Sequence, residues 1–235
     1  MSKTYLQLVN EVLKRVREPQ VGTVSANTYS TLIASFINDA KAQVEDSWEW
    51  AALRTPTQLS LVPGTYTYDL SNGSISSAVL NDRSVLMYDP NCHRGLAWDV
   101  TTDNPTTITE RSLEYVEHMY NIDSNHPDIS IPQFYAVDYS AGTPAIRLYE
   151  KPSEVRTWRF IFKRPQSDLS ADFDELYVPW RPVVLLATNY ALNEKGEEVG
   201  TPGTIAEQRY LAALHDAISI DSRRTQNAYP VFTAD

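Results

Sequence analysis

The chain has 235 residues, 42% of them hydrophobic, and carries 30 acidic against 20 basic side chains for a net charge of −10. That length holds one large domain or two small ones and can bury a real core. So acidic a balance argues against tight binding of phosphate backbones, which needs clustered Lys and Arg. No apolar run approaches the roughly 20 residues that span a bilayer, so no membrane partner is expected. The opening stretch MSKTYLQLVNEV is not continuously apolar, and no secretory leader is read there. A single cysteine, Cys92, excludes an internal disulfide framework and fits folding in a reducing compartment.

In chain order, Thr4 with Gln7 forms a capping-box pattern that opens a helix, with Tyr5, Val9, Val12, Leu13 and Val16 as its apolar stripe. A second helix is expected from Asn27 to Trp50, roughly 36 Å at 1.5 Å per residue. Its stripe runs through Leu32, Ile33, Phe36, Ile37, Ala40, Val44 and Trp48, and its opposite side reads as wet. Two tryptophans, Trp48 and Trp50, would then stand at the last turn, either packed on a sheet that begins just after it or offered to another chain.

At Pro56 the period changes to two. Leu59 and Leu61, then Pro63-Gly64, then Tyr66, Tyr68 and Leu70 read as a hairpin. Further strands are expected at 84–89, 96–101, 133–138, 145–149 and 155–163. In the last, Trp158, Phe160 and Phe162 share one face. A short helix is expected at 109–120. Helical periodicity returns after Arg164-Pro165, first behind Pro179 and Pro182 and closing near Gly196, then behind a second capping box at Thr204 and Glu207. The last eleven residues, TQNAYPVFTAD, have no period.

The expected fold class is α+β: a four-helix bundle formed by residues 1–53 and 166–224, an inserted antiparallel β-rich domain over 54–165, and a tail at 225–235. Charge is uneven, since residues 166–235 carry 5 basic and 11 acidic side chains and so supply −6 of the −10. A solvated acidic face and a surface that repels nucleic acid both fit that distribution.

No motif of a known catalysis is present, neither a P-loop nor G-x-S-x-G, H-E-x-x-H or G-x-G-x-x-G. Cys92 and His93 are adjacent, which on a strand points them to opposite faces. The loop holding Asp123, Asn125, His126 and Asp128 lacks the glycine and terminal glutamate of a calcium loop and reads as a polar turn. Asp168, Asp172, Asp174 and Glu175 read as a solvated loop, with Phe173 and Leu176 hinting at docking. No enzyme activity, cofactor or metal is expected. The five Trp and fourteen Tyr allow a sugar-stacking surface or a sheet core plus subunit contacts, where such residues are enriched.

Three stretches carry a resemblance: YLQLVNEVLKRV with TLIASFINDAKAQVEDSWEWAALRT; AIRLYEKPSEVRTWRFIFKRP; and YVPWRPVVLLATNYALNEKGEEVG with the TIAEQRYLAAL helix. In that order they resemble the head-to-tail adaptor (connector, or tail tubular) proteins of tailed bacteriophages. The resemblance implies a structural virion protein of the neck or tail, assembled in the host cytoplasm. It would form a ring, commonly of twelve copies, seated beneath the portal protein and above the tail tube or nozzle, with DNA passing through the lumen without tight binding. The expected partner-binding residues are Tyr229, Pro230, Val231 and Phe232 of the tail, with Trp48 and Trp50 as the second candidate. The alternatives are a carbohydrate-binding module or glycan-active tail protein, and another tail-completion or decoration protein.

Overall fold

The structure, a computed structural model, describes residues 2–71, 79–88, 95–102, 106–122, 129–196 and 201–226. The chain divides into two compact units, residues 1–53 with 166–235, and residues 54–165.

The first unit begins with α1 (Tyr5–Arg15) and α2 (Thr28–Asp46), each opened by a reciprocal cap. In α1, Thr4 Oγ1 accepts from the Gln7 amide at 3.4 Å and the Gln7 side chain accepts from the Thr4 amide at 3.2 Å. In α2, Asn27 and Ser30 make the same exchange at 2.7 and 3.1 Å. These bonds satisfy amides that have no partner inside the helix. The expected helix to Trp50 is corrected, because α2 stops at Asp46. The Trp50 indole N–H turns back to donate to the Val44 carbonyl at 2.7 Å, beside the Ser47 hydroxyl, also at 2.7 Å. Trp50 therefore caps the helix end instead of riding on it.

A 3-10 turn (Ala51–Leu53) follows, and after the second unit come α4 (Trp180–Glu194) and α5 (Thr201–Gln226). Gly196, at φ 69°, supplies the left-handed residue that ends α4. Because α5 starts at Thr201, Thr204 lies inside the helix and does not cap it.

The four-helix bundle is also corrected. Helices α1, α2 and α4 pack on one another, while α5 lies along α4 and the 51–53 turn with no comparable face against α1 or α2. Leu169, Leu176 and Val178 of the non-helical crossover complete the core. One apolar stripe per helix does not dictate a closed ring of four, because an irregular segment can cover part of the stripe.

The second unit contains β1 (Arg54–Leu61), β2 (Thr67–Asp69), β3 (Val85–Leu86), β4 (Ala97–Asp99), β5 (Thr106–Thr107), β6 (Thr109–Glu110), α3 (Leu113–Ile122), β7 (Ile129–Ser130), β8 (Phe134–Asp138), β9 (Ala145–Tyr149), β10 (Lys151–Pro152) and β11 (Arg156–Lys163). One sheet has the order β1-β11-β4-β5 with β3 also on β11, and a second has the order β2-β9-β8-β6. The β6–β8 and β7–β10 pairs are parallel, so the insert is mixed where an antiparallel one was expected, and the short helix expected at 109–120 is α3, at Leu113–Ile122. The expected hairpin does not form either. β1 pairs along its whole length with β11, placing Leu59 opposite Trp158, and β2 pairs with β9. An eight-residue partner whose Trp158, Phe160 and Phe162 are all fully buried outweighs the three-residue strand next in sequence.

Ion pairs finish the sheet rims. Asp138, 5% exposed, accepts from the Ser140 amide at 2.8 Å and from Arg147 at 2.6 and 2.8 Å. The Ser140 hydrogen bonds, which outweigh the cost of burial, together with Arg147 hold its carboxyl below the usual carboxylate range. A depressed folded pKa contributes stability at neutral pH that is lost as pH falls through it. Melting temperature should therefore drop as pH is lowered from about 4, the ordinary Asp value. Asp138→Asn should flatten that acid limb while lowering stability at pH 7. An unchanged limb would show that Asp138 is ionised equally in the unfolded chain.

Candidate functional site

The crossover from Gln166 to Pro179 is fastened at several points, and this fixes what it presents. Lys41 Nζ donates to the carbonyls of Gln166 and Ser167 at 2.7 and 3.0 Å. Asn38 brackets Leu169, donating to its carbonyl at 3.1 Å and accepting from its amide at 3.0 Å. The amides of Tyr5 and Leu6 donate to the carbonyls of Asp174 and Asp172 at 2.8 and 3.1 Å. On this laced segment Phe173 is 85% exposed and Tyr177 60% exposed. Exposed aromatic rings on a rigid turn are ready-made contact points, because little side-chain or loop freedom is left to lose on docking.

Beside Tyr177 opens a cleft of about 400 Å³ within this unit. Trp50 and Leu176 line its interior, Tyr177, Pro179, Trp180 and Pro182 contribute from the crossover and the start of α4, and Ala213, Ala217 and Ile220 contribute from α5. The small side chains at 213 and 217, four apart on one helix face, leave the space. The Lys3 ammonium lies over the Trp180 ring at 3.9 Å. Asp216 and Asp221 add acidic side chains to the lining. Asp221 Oδ2 accepts from the Trp48 indole at 3.2 Å and from the Ala51 amide at 3.1 Å, which ties α5 to the turn after α2.

Of the two tryptophans read from the sequence, Trp50 lines this cleft and Trp48 is bonded to Asp221, which also lines it. Trp50 is 1% exposed, and Trp48 is partly buried against the same core. Tyr229, Pro230, Val231 and Phe232 lie outside the described residues, as do Cys92, His93 and the Asp123–Asp128 loop.

The acidic cluster divides its members among separate tasks. Asp174 Oδ2 caps the amides of Ser170 and Ala171 at 2.7 and 2.8 Å, and those bonds hold its carboxyl below the usual range. Asp172 accepts from the Val24 amide at 2.9 Å, and Glu175 accepts from the Ser2 hydroxyl at 2.9 Å. Among the described residues no group of three or more His, Cys, Asp or Glu is placed to hold a metal. The sheet aromatics turn inward, with Tyr68, Tyr135, Trp158, Phe160 and Phe162 no more than 1% exposed. They are core, and offer no flat platform for a sugar ring.

The apolar stripe of α5 in the sequence, Tyr210, Leu211, Leu214, Ala217 and Ile218, does not disclose the cleft, whose signals are Pro179-Trp180-Arg181-Pro182 and the small residue Ala213 four before Ala217. Leu211 is in fact 42% exposed, and Ala213 takes the buried place.

No individual curated protein matches the chain. A sequence model of the SU10 adaptor protein family does, over residues 3–233, which takes in the laced crossover, the cleft and the whole inserted unit. The chain belongs to the SU10 adaptor protein family, a phage head-to-tail adaptor family, and is a structural component of the virion neck or tail.

Proposed function

We propose that this adaptor closes into a ring, of twelve copies, between the portal protein and the tail tube or nozzle, with DNA passing through its lumen. The observation that carries the reading is the family match across residues 3–233, both units included. Exposed apolar side chains support it: Phe173, Tyr177 and Ile220 on the first unit, and Val62 and Val155 on the second, are each at least 55% exposed. Neighbouring copies would cover such groups. A net charge of −10 suits a passage that does not grip phosphates. The tail is the tether to the portal, with Tyr229 and Phe232 as its anchors. Trp50 is already spent on its own core, so the tryptophan pair is the weaker candidate for that contact.

Electron microscopy of the protein alone and mixed with its portal tests this. Rings seated coaxially on portals are expected, and chains that never join portals would refute it. Duplex DNA should bind no tighter than about 10 µM at physiological salt, outside the range of specific binders. Removal of residues 227–235 should leave the melting temperature within about 2 °C, since a surface change of under 0.5 kcal/mol moves it little at this size. The same removal should abolish portal attachment.

A further inference from the structure

The outward face of the β1-β11-β4-β5 sheet is basic in a chain that is otherwise strongly acidic. We infer that this face is an interface between copies, and that its occupant is the acidic crossover of a neighbouring copy, with Phe173 at its centre. The inference rests on the ring reading proposed above and names the two surfaces that meet in it.

Register fixes what the face displays. Trp158, Phe160 and Phe162 point into the core, so Thr157, Arg159, Ile161 and Lys163 point out. Arg159 lies opposite Gln58 on one side and Trp98 on the other, and Lys163 lies opposite Arg54 and Val85. Between these two cationic rows Ile161 lies opposite Pro56. At a rise of about 3.3 Å per residue the cationic rows stand roughly 13 Å apart, with the apolar row midway. Arg159 is exposed, Trp98 is half-buried and Val85 is 49% exposed. Among the described residues, the outward positions of this sheet hold Arg54, Arg159 and Lys163 and no acidic side chain.

Gathering cations in this way costs the isolated fold stability. Arg54 and Lys163 stand directly opposite each other, and like charges so placed repel. Arg54 Nε is buried and has no hydrogen-bond partner among the described residues. In a chain of net charge −10, such a face is complementary to most of the chain's own surface.

The crossover supplies acid in the matching order. From Gln166 to Trp180 it carries Asp168, Asp172, Asp174 and Glu175 and no lysine or arginine. Lys41 lies 3.7 Å from Asp168 but equally near Glu45, so the segment keeps a negative balance. Asp172-Phe173-Asp174 sets an aromatic ring between two carboxylates, as the sheet sets Ile161 and Pro56 between two rows of cations. Phe173 is 85% exposed, and the ties of the crossover to Lys41, Asn38 and α1 leave it little freedom to lose on docking. Arginine and aromatic side chains are the residues that anchor interfaces. Because ridge and face are different surfaces, the contact is head to tail, the kind that closes into a ring.

The test places the photoreactive residue p-benzoylphenylalanine at position 173 of the full chain. Isotopically light and heavy chains are mixed, assembled on portals and irradiated, and the cross-linked peptides are read by mass spectrometry. Mixed light–heavy products joining residue 173 to peptides of β1, β4 or β11 are expected. Arg159→Glu and Glu175→Lys lie at exposed positions that leave the fold intact, and each should cut ring formation roughly tenfold. An equal mixture of the two variants should recover roughly threefold, since an unaltered ridge again meets an unaltered face at alternate contacts. Rings whose residue 173 cross-links elsewhere on a copy, or to the portal, overturn the inference and leave the ring reading standing. Products confined to one isotope overturn it as well, because the crossover then reaches only its own chain. So do variants that assemble as the unaltered chain does, and a mixture that assembles no better than its parts. Absence of rings from the unaltered chain defeats the ring reading and this inference together.

Discussion

Lys41→Met is expected to destabilise the first unit by about 3–5 kcal/mol, the cost of removing one partner of a buried ion pair. Lys41 and Glu45 are both fully buried, one helical turn apart on α2, with Nζ and Oε1 3.7 Å apart. That separation is too long for a hydrogen bond, and the shorter contacts of the ammonium are to the carbonyls of Gln166 and Ser167. Glu45 in turn accepts from the Gln166 amide at 3.1 Å. The pair therefore works as a clasp, each charge stabilised by backbone dipoles of the strap it holds and by the other charge. Methionine fills the space of the lysine stem but leaves two carbonyls unpaired and removes the positive charge that faces Glu45. The double variant Lys41→Met, Glu45→Leu should cost clearly less than the two single changes summed, with a coupling of at least about 1 kcal/mol. Urea unfolding of the four proteins measures it. A single-variant cost below about 1 kcal/mol would mean that water reaches the pair and the crossover is not clamped.

Lys41 and Glu45 are charged side chains on α2, and side chains of that kind ordinarily face solvent. That reading fails for a reason periodicity cannot contain. The crossover that covers them lies more than 120 residues away in the chain, and its backbone carbonyls, with the Asp168 carboxylate 3.7 Å from the ammonium, do the covering. The same division runs through the fold. Local chemistry is readable where it closes within a few residues, as with the Thr4–Gln7 exchange, the stripe of α1 and the inward face at Trp158, Phe160 and Phe162. Choices between distant partners are not. Pairing of β1 with β11 and of β2 with β9 depends on which long-range ladder buries more, and a nearest-neighbour hairpin is the wrong answer. Periodicity misplaces the end of α2 because the indole of Trp50, four residues beyond the helix, supplies its cap. The cleft escapes a periodic reading because small residues, which carry little apolar weight in such a pattern, are what create it.

Gly95→Ala is expected to destabilise the second unit by about 1–3 kcal/mol, the range for overpacking a filled core. Gly95 bridges to Tyr88 and lies directly under the Tyr135 hydroxyl, which a β-carbon would strike. The same carbon would come within 2.7 Å of both a Glu110 carboxylate oxygen and a Leu86 methyl. Glu110 can swing its carboxylate away, since it stands on a short edge strand. Tyr135 cannot, being fully buried on β8 with its ring edge-on to Phe160 at 5.3 Å and to Trp158 at 6.4 Å. Among the described residues its hydroxyl has no hydrogen-bond partner, and burial, followed by the nearby Glu110 charge, pushes its pKa up. Tyr135→Phe alone should then be close to neutral, because a buried hydroxyl left without a partner gives nothing back for its desolvation. Combined with Gly95→Ala, the same change removes the atom that the new methyl would hit, and should recover at least half of the lost stability. Chemical denaturation of the two single variants and the double measures the recovery. A double variant no better than Gly95→Ala would assign the clash to Leu86, whose buried methyl is then the rigid neighbour.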